Sequence, residues 1–290
     1  MLSNKFHTFL RGNRRTRVPV LLYHMVSDEP APGLEHYAVS PAAFRQQMGW
    51  LKARGYAAIS LALLVDHRLN GRPLPPRPVV ITLDDGYKDN LYGAYPVLEA
   101  LGLEATIFLV AGLVGQEAFW VSTFGPPAKL LSWEDVRAMA RGPITFGAHT
   151  ITHPHLCQLS TRQAQEEIAG AKTILEDRLG REVSFFSYPF SDFSPVLRDY
   201  AAGAGYRAAC SSLLGFSDGA DDIYALRRLI VGGGDSLEAF GRKVRGRPTG
   251  RETLRPFLRS IKRALLPMRL ESQSKREMAP RVSNKRRMDH

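Results

Sequence analysis

The stretch VITLDDGYKDN, residues 80–90, carries Val80, Ile81, Thr82 and Leu83 straight into two adjacent carboxylates and a glycine. Four apolar or β-branched residues in a row read as a buried strand, and Asp84 and Asp85 then stand where that strand stops. Neighbouring carboxylates repel and resist joint ionisation unless a cation or a hydrogen-bond network holds them. Asp84-Asp85-Gly86 follows the run 79–83 (VVITL), so the carboxylates emerge at its C-terminal end. In parallel α/β architectures that end is where functional loops gather.

Outward from this strand, apolar runs recur with helical stretches between them, which predicts βα repetition and a mainly parallel sheet. The candidate strands are 18–23, 79–83, 105–110, 144–148, 184–188, 207–210 and 226–231. Seven strands suit a barrel. The helices between them have readable ends. Ser40 before Pro41 is an N-cap with proline at the first helical position, Phe44, Met48 and Leu51 then share a face, and Gly55 can stop the helix. Ser160 with Gln163 forms a capping-box pattern, Ala164, Ile168, Ala171, Leu175 and Leu179 make the apolar stripe, and Gly180 ends it. Val97, Leu98 and Leu101 before Gly102 predict a shorter helix.

The chain has 290 residues, 44% of them hydrophobic, enough for a sizeable core. Its formal charge of +11 is unevenly placed. Residues 1–17 hold five Lys/Arg and no acid, residues 246–290 hold thirteen against four, and the body, 18–245, holds twenty-one against twenty-four. Binding driven by positive charge therefore belongs to the ends, and a nucleic-acid groove in the body is not expected. The expected organisation is a basic N-terminal arm (1–17), one domain (18–245), and a basic amphipathic helix with a disordered tail (246–290). Leu254, Phe257, Leu258, Ile261 and Leu265 share one face of that last helix and Arg255, Arg259, Lys262 and Arg263 the other, a pattern that can lie on an anionic membrane surface or dock on the domain. No run approaches the roughly 18 to 20 apolar residues of a membrane span, and FHTFL is too short for a signal-peptide core of about 7 to 15. The reading is a cytoplasmic or peripheral-membrane protein. Cys157 and Cys210 read as buried free thiols rather than a disulfide framework.

A second chemical candidate is TFGAHTITHPHL, where His149 and His153 follow another short strand. Spacing of four lets two imidazoles on one turn face one point, a common way to clip a metal ion. Pro154 disfavours helix at His153, so a single turn within a loop is expected. Eight histidines placed at random would give roughly 0.2 such pairs, so spacing alone leaves two ordinary loop histidines as an alternative. For Asp84-Asp85 the alternative is a helix N-cap with an acidic first turn.

Taken together, TLDDG (82–86) and HTITH (149–153) resemble the first two motifs of the polysaccharide deacetylases, the NodB-type carbohydrate esterases. The resemblance extends over roughly residues 18–240, through VLLYHMVSD, VSPAAFRQQMGWLKARGY, EATIFLVAGLVG and LSWEDVRAMA into FSYPFSDF, and is nearest to members acting on poly-N-acetylglucosamine or chitooligosaccharides. It implies a distorted (β/α) barrel that removes acetyl groups from N-acetylated sugars with a divalent metal, most often Zn²⁺, with Co²⁺ or Ni²⁺ as options. On that resemblance Asp85, His149 and His153 would be the ligands, Asp84 the general base on a metal-held water, and the backbone N–H near Phe190, in the third motif with Tyr188 and Pro189, part of the oxyanion site. Ser187 stands where many members carry an arginine that orients the base. The segment LIVGGGDS has Gly and Asp where many keep a catalytic histidine. His24 in LLYHMV is the replacement acid that the resemblance implies. His155 reads as an outer or exposed residue, and Phe119, Trp120, Phe124 and Trp133 as sugar-stacking faces or rim packing. The partner implied is an N-acetylated glycan; the rival reading is a carbohydrate-binding or assembly module that has kept the fold and lost the activity.

Overall fold

The computed structural model describes residues 16–30, 32–120, 127–219 and 221–246. Seven strands, β1 (Val20–Tyr23), β2 (Pro78–Leu83), β3 (Ala105–Leu109), β4 (Ile144–Ala148), β5 (Phe185–Ser187), β6 (Ala208–Leu214) and β7 (Leu226–Ile230), pair in chain order. All these pairings are parallel, and β1 pairs with both β7 and β2, so the sheet closes into a barrel. The basic arm, the amphipathic helix and the tail expected at the two ends lie outside the described residues, apart from Thr16, Arg17 and Gly246.

Seven helices connect or flank the strands: α1 (Pro41–Ala53), α2 (Leu61–Asn70), α3 (Tyr95–Leu101), α4 (Trp133–Met139), α5 (Thr161–Leu179), α6 (Pro195–Gly203) and α7 (Leu237–Val244). Their ends follow the local chemistry. The Ser40 side chain accepts from the Ala43 N–H at 3.1 Å, and Ser160 and Gln163 form a reciprocal capping box. Each of these caps satisfies donors that the first helical turn leaves open. Gly102 and Gly180 close α3 and α5 in the left-handed conformation that glycine adopts without steric cost. Ala164, Ile168, Ala171 and Leu175 of α5 are buried, and burying the isoleucine and the leucine stabilises by about 1.5–3 kcal/mol each.

The two faces of the barrel wall have different partners. On β2, Val79, Ile81 and Leu83 pack outward with Phe44, Met48 and Leu51 of α1 and Val97 and Leu98 of α3. Val80 points the other way, into a cluster with Val18, Val20, Phe108, Phe185, Ala208 and Leu226, which α2 completes with Leu61, Leu64 and Val65. Strand side chains alternate, so Thr82 and Asp84 share the interior face with Val80. The same register carries Phe185 to Ser187 on β5 and Leu226 to Arg228 on β7. A polar layer, Thr82, Asp84, Ser187 and Arg228, therefore sits directly above an apolar plug. The site is built on that layer.

Candidate active site

Asp84 and Asp85 leave β2 in a turn, with no helix to cap. The Asp84 N–H donates to the Tyr23 carbonyl at 2.9 Å, which continues the barrel pairing by one residue. Asp85 and Gly86 then both take positive φ, 75° and 71°. A Cβ at Gly86 would lie 2.6 Å from Leu109 Cδ2, so glycine meets both the conformation and the close approach.

After β4, His149 is followed by Thr150 and His153 at φ 67° and 62°. The helical turn expected over 149–153 is absent: two residues in the left-handed region replace it, and only the surrounding bonds make that conformation affordable. The Thr150 hydroxyl accepts from the His153 N–H at 2.9 Å. Glu167 of α5 accepts from the Ile151 and Thr152 N–H groups at 2.7 and 3.0 Å and from the Thr152 hydroxyl at 2.6 Å.

These two loops bring Asp85, His149 and His153 together. Nε2 of His149 and of His153 lie 3.3 and 3.2 Å from the same carboxylate oxygen, Asp85 Oδ1, and all three side chains are buried. Nδ1 of His149 lies 2.7 Å from the Ser187 carbonyl, an acceptor only, so Nδ1 carries the proton and Nε2 presents a lone pair to the carboxylate. A lone pair aimed at an ionised oxygen is repulsive unless a cation or an extra proton lies between them. The N, N, O donor set, buried and converging, fits a divalent ion such as Zn²⁺, Co²⁺ or Ni²⁺. Burial by itself would raise the Asp85 pKa; a proton on the imidazole nitrogens that face it, standing where a cation would, holds it well below the usual carboxylate range.

Asp84 faces a different partner, one that sequence reasoning missed. Arg228, fully buried on β7, donates Nη1 to Asp84 Oδ1 at 2.8 Å and Nη2 to Oδ2 at 2.6 Å. Its other three N–H groups go to the Ser211 carbonyl at 2.8 Å, the Thr82 hydroxyl at 3.2 Å and the Ser187 hydroxyl at 2.9 Å. All five donors of the guanidinium are thus matched. Ser187 in turn donates its hydroxyl to Asp84 Oδ2 at 3.0 Å. The serine that stands where an arginine was expected is therefore part of the grip that an arginine from another strand supplies. Burial pushes the Asp84 pKa up, Arg228 more than offsets it, and the carboxyl stays below its ordinary value.

His24 stands at the end of β1, half-buried, its ring edge-on to Tyr37 at 5.0 Å, and Asn90 donates to its carbonyl at 2.9 Å. Burial lowers its pKa, while Asp85 and Asp84 pull it back up. Phe190 has φ 55°, stacks on His155 with centroids 4.0 Å apart, and meets His153 edge-on at 4.6 Å. Pro189 is buried beside it. Tyr188, readable either as a sugar contact or as a core tyrosine, is buried in the core with its ring between Phe186 and Phe193. Trp120 stacks on His153, Trp133 opens α4 under Arg178, Phe119 is exposed, and Phe124 lies outside the described residues. Cys210 is buried as expected, whereas Cys157 is exposed; both are free. No helix among the described residues is long and apolar enough to cross a membrane.

The polysaccharide deacetylase family model matches residues 71–209. YxkH of Bacillus subtilis, whose name as a polysaccharide deacetylase is itself provisional, is 29% identical over 80% of this chain and 78% of its own. The poly-beta-1,6-N-acetyl-D-glucosamine N-deacetylase of Escherichia coli is 32% identical over 133 residues, 44% of this chain but only a fifth of that protein. The crystal structure of a polysaccharide deacetylase from Bacillus cereus superposes with a TM-score of 0.68 at 25% identity, over 79% of this chain and 69% of that one.

Proposed function

We propose, from the premise that this chain carries a domain of the polysaccharide deacetylase family, that it hydrolyses the N-acetyl groups of N-acetylglucosamine units in a polysaccharide or oligosaccharide. The observation that carries this reading is the pairing of a buried Asp-His-His cluster with a neighbouring carboxylate gripped by Arg228. Water adds to the amide carbon, the C–N bond breaks, and acetate and the free sugar amine leave.

Asp84 takes the role of base. A carboxylate offers about four lone-pair sites. Two accept from Arg228 and one from Ser187, which leaves one free for the proton of the attacking water. Arg228 keeps Asp84 ionised at neutral pH and fixes the plane of its carboxyl group, so the free lone pair has a set direction. Positioned base catalysis of this kind contributes about 10² to 10⁴ in rate. Asp85, His149 and His153 would hold the ion. When bound, a divalent ion of this type supplies Lewis acidity, polarising an amide carbonyl and lowering the pKa of water to about 7. The backbone N–H at Phe190 is the candidate second donor to the oxyanion. His24 is assigned the proton that the departing amine needs: burial lowers its pKa, and the neighbouring Asp85 and Asp84 oppose that shift by favouring the imidazolium.

The rival reading, a carbohydrate-binding or assembly module without activity, rests on the serine at position 187 and on the missing late histidine. Arg228 answers the first of these, and His24 is the proposed answer to the second. The test is acetate release from chitooligomers and poly-N-acetylglucosamine, with and without chelator, for the wild type and Asp84→Asn. The expected result is chelator-sensitive release by the wild type, with Asp84→Asn holding the ion and losing turnover. Glycan binding without acetate release under any metal would refute the hydrolase.

A further inference from the structure

The two imidazoles of the cluster are held in different ways. His149 has the Ser187 carbonyl 2.7 Å from Nδ1. His153 Nδ1 is buried and has no hydrogen-bond partner among the described residues. A metal-ligating histidine ordinarily donates its second ring nitrogen to a carboxylate, a carbonyl or water, and that bond fixes its tautomer and the plane of its ring. His153 is instead set between aromatic rings. The Trp120 indole lies over it with centroids 4.0 Å apart and planes 23° apart, and Phe190 meets it edge-on at 4.6 Å.

The same indole reaches the other ligand loop. The buried Tyr87 hydroxyl sits within interaction range of both the Trp120 side chain and the Asp85 carboxylate. An indole N–H only donates and a carboxylate only accepts, so the tyrosine oxygen is suited to accept from Trp120 and to offer its own proton to Asp85. Trp120 is itself tied down by a short ribbon: the Ala118 N–H donates to the Ala128 carbonyl at 2.8 Å, the Leu130 N–H to the Gln116 carbonyl at 2.9 Å, and Tyr87 bridges to Leu130.

We infer that Trp120 is a positioning residue for the ion site, an aromatic brace that orients His153 by ring contact in place of the missing hydrogen bond and orients Asp85 through Tyr87. The inference rests on the reading of Asp85, His149 and His153 as metal ligands. Loss of an outer-shell partner of a ligand typically loosens the ion about 10- to 100-fold. Trp120→Leu removes both the stack and the link to Tyr87, so the full effect falls on it. Trp120→Phe keeps the stack and Tyr87→Phe keeps everything except the proton given to Asp85, so each loosens the ion by about three- to tenfold.

The experiment measures the Kd of the full chain for Zn²⁺ and Co²⁺ by competition with a chromogenic chelator, with thermal unfolding of the same samples alongside. Quenching of tryptophan emission by Co²⁺ gives a second readout. It should persist in Trp50→Phe and Trp133→Phe and fall away in Trp120→Phe. A wild type that takes up no ion overturns the ligand assignment. A wild type that binds, with Trp120→Leu folded and its Kd within twofold of wild type, overturns the brace alone. Should Trp120→Leu fail to fold, wild-type Kd values in both Trp120→Phe and Tyr87→Phe overturn it equally.

Discussion

Replacing Arg228 by methionine tests the polar layer most directly. The substitution roughly conserves length while removing five donors at once. Asp84 then keeps only the Ser187 hydroxyl, in a position 2% exposed. Breaking a buried ion pair by deleting one partner costs about 3–5 kcal/mol, because the remaining charge is left without compensation. The loss here should reach the upper part of that range, since the Ser211 carbonyl loses its arginine donor too. In a domain of this size each kcal/mol moves the melting temperature by about 2–4 °C. Urea titration of wild type, Arg228→Met, Asp84→Asn and the double variant closes a thermodynamic cycle. The double variant should be more stable than Arg228→Met, because a neutral amide no longer demands a cation, and the coupling energy should exceed about 2 kcal/mol. It should remain inactive, which separates stability from turnover. A loss below about 1 kcal/mol in Arg228→Met, or a coupling energy near zero, would refute the claim that the two residues form one buried unit.

Two further outcomes follow from neighbouring groups. Asp89 accepts from the Val26 N–H at 2.9 Å and from the Asn90 side chain at 2.8 Å, yet burial outweighs both bonds and pushes its pKa up to about 6. A carboxyl whose folded pKa exceeds its unfolded value contributes stability that is present below about pH 4 and lost as the pH rises through about 6. Asp89→Asn should therefore be more stable than wild type at pH 8, by at most about 3 kcal/mol, with the gap closing toward pH 4; a gap independent of pH would count against this. His24→Ala should slow acetate release far more than His155→Ala, whose ring is engaged with Phe190, and equal rates for the two variants would remove His24 from the chemistry.

Much of the fold was legible because its signals are local. Seven apolar runs, a serine cap before Pro41 and a capping box at Ser160 each lie within a few residues, and each forecast an element. The cluster of Asp85, His149 and His153 was visible as two motifs, since both follow strands whose C-terminal ends face one way. Arg228 was not read from the chain because its partner lies 144 residues away and an arginine on a strand ordinarily points to solvent. A signal was nonetheless present. In LRRLI, Leu226 and Arg228 share one face by alternation while Arg227 takes the other, and only Arg227 of the two arginines is exposed. The left-handed residues at 150 and 153 had no local signal, because threonine is β-branched and rarely adopts that conformation, histidine does so only in a minority of cases, and Glu167 and the surrounding bonds impose it here. Tyr188 carried the reverse lesson: next to a motif, it nonetheless packs inward.

Barrel closure has one more consequence. Because β1 lies between β7 and β2, the start and finish of the described chain meet: Arg17 stacks on Phe216, and a Cβ at Gly246 would lie 3.9 Å from the Arg17 guanidinium. Where termini adjoin, a protein can be spliced head to tail and reopened at a surface loop without disturbing its interior. The succession of segments along the polypeptide is then a matter of history rather than of mechanics. An arginine that grips this carboxylate need not come from the strand before the third motif; any staves whose inward positions reach that layer can provide it, and a search that fixes the order of motifs will overlook such substitutes.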